Sequence, residues 1–233
     1  MSRSFKRIGM TQFIDFEVVL MGDYIDYVES FFRNKENEIH KNFEHLKNIS
    51  DDDPIRDQCD ENHQSYYDVL LENLVDDNFY LDEFSNRFRE SLVIQIHSFY
   101  EKHINKIIDY FLVKNAIMER SLKGNYTEKV EQILKTQLDV KKIKGYDFLI
   151  NFTELRNCII HNEGRIKSSS KFVNRLNSLN ELKKQKLISL KETVGIKSST
   201  YEVVLENKEF MKNSLSKISD FLKDLDENLS KHY

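Results

Sequence analysis

The 233-residue chain predicts an all-α protein, and three observations carry that expectation. Apolar residues recur at helical spacing along most of its length. One Pro and six Gly leave too little turn chemistry for a sandwich or barrel. A hydrophobic content of 39%, with 12% aromatic, supplies a substantial core. Neither internal repeats nor low-complexity linkers interrupt the sequence, so a single helical domain over 1–233 is the simplest partition. Two long core helices are expected, with a small β-hairpin near 194–205 as the one departure from helix.

From Phe13 to Leu46, the series Phe13, Phe16, Leu20, Tyr24, Tyr27, Val28, Phe31, Phe32, Ile39, Phe43 and Leu46 predicts one long helix. Ser50-Asp51-Asp52-Asp53-Pro54, with the chain's only proline, ends it and opens an acidic loop to about Glu61. Tyr67, Leu70, Leu71, Leu74 and Val75 form a short helix. Phe84, Phe88, Leu92, Ile96, Phe99, His103, Ile107 and Phe111 form a second long one, with Ser85 as its N-cap. Gly124-Asn125 breaks the pattern, and Thr127 caps a short helix over 128–138. Lys144-Gly145 breaks it again before an apolar helix from Tyr146 to about His161, which Asn162-Glu163-Gly164 stops. A basic helix follows over 171–191. Val194-Gly195-Ile196 and Tyr201-Glu202-Val203-Val204-Leu205 make the hairpin. The last helix, about 208–229, turns Phe210, Leu215, Ile218, Leu222 and Leu225 inward.

Net charge is −4, without the basic balance of a protein that coats nucleic acid by electrostatics alone. The distribution is uneven. Residues 11–101 hold 22 acidic and 7 basic side chains, whereas 102–191 hold 9 acidic and 19 basic, so the middle of the chain suits a polyanion. An equally good use of this asymmetry is for the acidic and basic parts to face each other within the fold or across an oligomer.

No apolar run approaches the length of a membrane span, and Met1-Ser2-Arg3-Ser4-Phe5-Lys6-Arg7 lacks the features of a secretion signal. A soluble, cytoplasmic protein with no membrane association is expected. Cys59 and Cys158 lie far apart and neither shares metal-ligand spacing with a histidine, so no disulfide framework, metal or other cofactor is expected. Phosphate-loop, dinucleotide, zinc-protease and nucleophile-elbow motifs are absent from the sequence.

The most informative segment is Phe148-Leu-Ile-Asn-Phe-Thr-Glu-Leu-Arg156-Asn157-Cys158-Ile159-Ile160-His161-Asn-Glu-Gly164. Phe148, Phe152, Leu155 and Ile159 keep one apolar face, with Cys158 on that side, while Asn157 and His161 stand four apart on another. Arg156 lies about 140° around a regular helix from His161. Its guanidinium is long, and loosening of the last turn before Gly164 would let both groups converge on one phosphate. Two other pairs have similar spacing, Arg33 with His40 and Arg56 with His63, but neither follows a buried apolar helix.

Arg156-Asn157-Cys158-Ile159-Ile160-His161 resembles the hallmark of the HEPN superfamily: Arg, a polar residue, then a His after three to five more residues, at the end of a core helix. The helix carrying Ser98 and Glu101 is similar to the HEPN core helix that packs beside the motif and often brings a Ser-x-x-Glu element to it. The resemblance covers about 85–165. It implies an all-α bundle, a homodimer whose two motifs share a cleft, and metal-independent endoribonuclease activity of the toxin–antitoxin, abortive-infection or antiviral kind. An RNA substrate and an antitoxin or trigger protein are the partners it implies. Some HEPN toxins carry, two residues after the His, a tyrosine that a partner adenylylates; Glu163 stands there, so that control is not expected.

RNA cleavage suits these residue types. The ribose 2′-hydroxyl already lies beside the scissile phosphate, so the protein need only move protons and stabilise charge. His161 serves as general acid or base, Arg156 as a planar phosphate clamp, Asn157 as an orienting group, and Glu101 as a carboxylate that steadies the guanidinium. The same residues have plainer uses. His161 can cap carbonyls at a helix end, Arg156 can pair with Glu101 or Glu154, Glu101 can be a solvated carboxylate, Ser98 can let two helices approach, and His97 and His103 read as structural. The alternative functions are a non-catalytic HEPN-type module binding RNA, a nucleotide or a protein, and a purely structural interaction domain.

Overall fold

The computed structural model describes residues 2–50, 53–57, 65–114, 132, 143–168, 172–194, 199–205 and 208–231. Apart from Gln132, the expected short helix over 128–138 falls outside them. The described chain is mostly helical: α1 (Ser2–Lys47), α2 (Pro54–Asp57), α3 (Tyr66–Lys114), α4 (Tyr146–Asn162), β1 (Arg165–Lys167), α5 (Val173–Lys184), β2 (Ser189–Val194), β3 (Ser199–Val204) and α6 (Lys208–Lys231). It divides into two compact units, 24–89 and the remainder, with α1 and α3 running through both ranges.

Several boundaries differ from expectation for local reasons. The two helices expected within 67–111 are one, because no Gly or Pro interrupts Tyr66–Lys114. Ser85 is consequently no N-cap; it is buried within the helix, and its hydroxyl donates to the Asp82 carbonyl at 3.0 Å. In the acidic loop, Pro54 opens a single helical turn, where its missing N–H costs nothing, and Asp53 Oδ1 accepts from the Ile55 N–H at 3.0 Å. The basic helix ends at Lys184, not 191. Lys186 adopts φ 57, which turns the chain, and the Lys186 and Leu187 N–H groups donate back to the Lys183 and Leu182 carbonyls.

The hairpin is present but starts earlier, at Ser189, and gains a third strand. The antiparallel sheet has the order β1-β3-β2, with Ile166 opposite Tyr201 and Glu192 opposite Tyr201 on the other side. All-α therefore describes most of the chain but omits this sheet. Its placement follows from α4: Glu163 and Gly164 both take left-handed conformations, φ 51 and 71, and deliver the chain directly into β1. The Gly164 carbonyl then accepts from the Val203 N–H at 2.9 Å, locking the end of α4 to β3.

Within the larger unit, α3 from Glu90 onward buries Leu92, Val93, Ile96, Phe99, Ile104 and Ile107, and α4 buries Phe148, Phe152, Leu155, Cys158 and Ile159. The α6 residues expected inward, Phe210, Leu215, Ile218, Leu222 and Leu225, are all buried. Ring contacts join the three helices: Phe152 to Phe210 at 6.2 Å and Tyr100 to Phe221 at 6.2 Å. Among the described residues, no helix is long and apolar enough to cross a membrane.

Candidate active site

Helix α4 begins at Gly145, whose φ of 86 is left-handed and whose missing side chain admits the Lys217 carbonyl of α6; a Cβ there would lie 3.3 Å from that oxygen. The apolar stripe then fixes rotation about the helix axis. With Phe148, Phe152, Leu155 and Ile159 inward, Arg156 falls at the edge of the buried face, half-buried, and His161 falls on the solvent side, exposed.

Three side chains line the arc between core and solvent. Arg156 Nη1 donates to Asn157 Oδ1 at 3.0 Å, and its Nε is buried without a hydrogen-bond partner among the described residues. Asn157 lies one turn before His161, so it stands between the guanidinium and the imidazole. The helix extends to Asn162, past both residues, and at its end the Glu163 and Gly164 N–H groups reach back to the Cys158 carbonyl. Arg156 and His161 therefore leave the axis about 140° apart and about 7.5 Å apart along it.

Among the described residues, no hydrogen bond joins the His161 side chain to a helix carbonyl. The Cys158 carbonyl is already satisfied by the backbone N–H groups of Glu163 and Gly164. Among the described residues the His161 side chain has no hydrogen bond or ion pair, so the imidazole is left to solvent.

Glu101 is exposed on α3 and faces His97, not Arg156: its Oε1 lies 3.6 Å from His97 Nδ1. The expected Glu101–Arg156 pair is not among the described ion pairs, nor is Glu154–Arg156. Glu154 instead accepts from Arg175 Nε at 2.8 Å, and Arg175 Nη1 donates to Asn162 Oδ1 at 3.0 Å. One arginine from α5 thus clamps two turns of α4. Ser98, expected as a packing residue, is exposed and its hydroxyl donates to the Ile94 carbonyl at 2.9 Å.

His97 reads as structural from the sequence, and its position accords with that. It is buried beside Thr153 of α4, with Nε2 3.3 Å from the Thr153 hydroxyl. Burial holds its pKa below the ordinary histidine value, against the pull of the Glu101 carboxylate, and the Arg156 cation lowers it further. Arg156 thus has a neutral imidazole beside it. Cys158 is buried, and burial pushes its thiol pKa up to about 11, which makes it an unreactive part of the core.

Elsewhere in this unit, Glu17 of α1 meets His103 Nε2 at 2.9 Å and Lys102 Nζ at 2.5 Å. His103 is buried, which lowers its pKa despite the Glu17 carboxylate. Among the described residues, no three His, Cys, Asp or Glu side chains gather as a metal-binding group.

No family model, curated protein or solved structure matches this chain.

Proposed function

We propose that the protein is a metal-independent endoribonuclease of the toxin or antiviral-effector type, acting in the cytoplasm through Arg156, Asn157 and His161. The observation that carries this reading is an exposed imidazole with no hydrogen bond or ion pair among the described residues, one turn beyond an Asn that holds the Arg156 guanidinium. The motif resemblance to HEPN proteins over Arg156–His161 adds the reaction class.

In the proposed reaction, Arg156 holds the non-bridging phosphate oxygens through its planar donor fork and offsets the charge that builds on them. His161 removes the proton of the ribose 2′-hydroxyl, or delivers one to the departing 5′-oxygen, for which such help is typically worth about 10²–10⁴-fold. The products are a 2′,3′-cyclic phosphate and a 5′-hydroxyl, and DNA, lacking the nucleophile, is not cut. Asn157 keeps the guanidinium from swinging away. Glu101 acts one step removed, on the neutral His97 that neighbours the arginine. In a homodimer of the kind the resemblance implies, a twin motif supplies the second proton-transfer group, and an antitoxin or trigger protein would govern access to the cleft.

Purified protein is expected to cut RNA in the presence of EDTA, and His161→Ala to abolish cutting while leaving the helical circular-dichroism spectrum intact. Equal cutting by the variant would remove the nuclease reading.

A second reading is favoured by one observation: on a helix that extends to Asn162, past both residues, Arg156 and His161 leave the axis in different directions. That arrangement suits an Arg156 that holds an RNA or nucleotide phosphate out of reach of His161, so that the phosphate is bound without being broken. Binding without cleavage, weakening steeply with salt, is its signature.

A further inference from the structure

We propose that the helical hairpin of residues 24–89 is a docking surface for a cationic amphipathic helix of a partner protein. Its inner seam is already filled, by Ile25, Phe32, Ile39 and Leu46 of α1. Arg89 also meets both carboxylate oxygens of Glu29 at 2.8 Å, a largely buried fork that fixes the two helices against each other. The hairpin therefore does not need the aromatic rings on its outside.

Those rings are numerous. Phe31, Phe79, Tyr80 and Phe84 are exposed by 53%, 65%, 64% and 73%. Phe31, Tyr80 and Phe84 line an open groove of about 410 Å³, with Asp77, Glu38 and the Lys35 that pairs with Glu38 at 2.7 Å among the other lining residues. Large rings facing water beside a groove mark an interaction surface, because their burial is worth more than that of any other side chains at an interface.

Charge selects the occupant. Residues 66–86 carry six acids, Asp68, Glu72, Asp76, Asp77, Asp82 and Glu83, and no cation, and the whole of 24–89 holds 17 acidic against 7 basic side chains. A nucleic-acid backbone or an anionic lipid surface is repelled by such a run. A second copy seated by the same patch would set the run against itself, since a two-fold contact pairs each surface with its own image. A helix with apolar residues at i, i+3, i+4 and i+7, flanked by Lys or Arg, satisfies both the rings and the acids. The inference is independent of the nuclease reading, which concerns other residues.

The test titrates a fluorescein-labelled peptide of about 20 residues, with Leu at helical spacing and Lys elsewhere, into the full chain and follows anisotropy. A scrambled Leu/Lys peptide and a Leu/Glu peptide of the original pattern are the controls. The patterned Leu/Lys peptide is expected to bind at least about tenfold tighter than the scrambled one, and the Leu/Glu peptide not to saturate. Phe84→Ser and Asp77→Lys should each weaken binding by about fivefold or more with an unchanged helical spectrum. Both are surface changes that leave the inner seam intact. The proposal is overturned if no peptide binds, if the patterned and scrambled peptides bind alike, or if Phe84→Ser has no effect. It is also overturned if sedimentation shows self-association that Phe84→Ser abolishes, which would make a second copy the occupant.

Discussion

Asn157 stands between the other two side chains of the proposed site, one hydrogen bond from Arg156 and one helical turn from His161. Asn157→Ala is therefore expected to leave folding unchanged, release the guanidinium and cut the cleavage rate by about 10²-fold, the cost of a small misplacement of a reacting group. Single-turnover kinetics check this, and an unchanged rate would reduce Asn157 to a bystander. Gly164 carries a different burden. At φ 71, with a Cβ position 3.0 Å from Glu90 Oε1, Gly164→Ala should lower stability by about 1–2 kcal/mol in urea denaturation. The placement of Arg156, Asn157 and His161 near the end of one apolar helix was legible in the sequence, because their spacing is local. The contact of His97 with Thr153 was not. The two lie 56 positions apart, and they meet only once the second helix is in place. The Glu101–Arg156 pairing misled for the same reason: two opposite charges on facing helices do not reveal which rotation each helix adopts.

Helix α4 is held by its apolar stripe and by Arg175, and each makes a separable prediction. Phe152 is fully buried and touches both Phe148 and Phe210, so Phe152→Ala should cost about 3–5 kcal/mol through lost burial and the cavity left behind. A loss below about 1 kcal/mol would show that the α4–α6 contact collapses to fill the space. Helical periodicity made α1, α3, α4 and α6 readable, since each repeats its apolar face over several turns. Ends were harder. A turn signalled by Gly164 was found, whereas the one at Lys186 uses a residue with no turn preference and hid the start of β2. The expected break between 75 and 84 was an over-reading: polar Asp76-Asp77-Asn78 dims the stripe, but without Gly or Pro a helix under way continues.

For the molecule as a whole, acid sensitivity follows from its buried histidines. His97 and His103 both have folded-state pKa values below the ordinary 6.5, so the unfolded chain binds protons that the folded one refuses. Their contribution to stability is complete above about 6.5 and declines as pH falls below it. The melting temperature should accordingly drop between pH 7.5 and 5.5, and His97→Gln should flatten that drop; an equally steep profile in the variant would place the sensitivity elsewhere. Composition anticipated the largely helical architecture, because it is a sum over many residues. It did not anticipate the division into two units, which depends on which stretches of two continuous helices gather contacts. The proposed function rests on chemistry at one phosphodiester, and the ends of the cut strand would report it most directly. RNA digested in EDTA is predicted to yield 2′,3′-cyclic phosphate and 5′-hydroxyl termini by mass spectrometry, and a single 2′-deoxy substitution at the cleavage site to block the cut. Cleavage that persists across the 2′-deoxy linkage, or 5′-phosphate products, would contradict it.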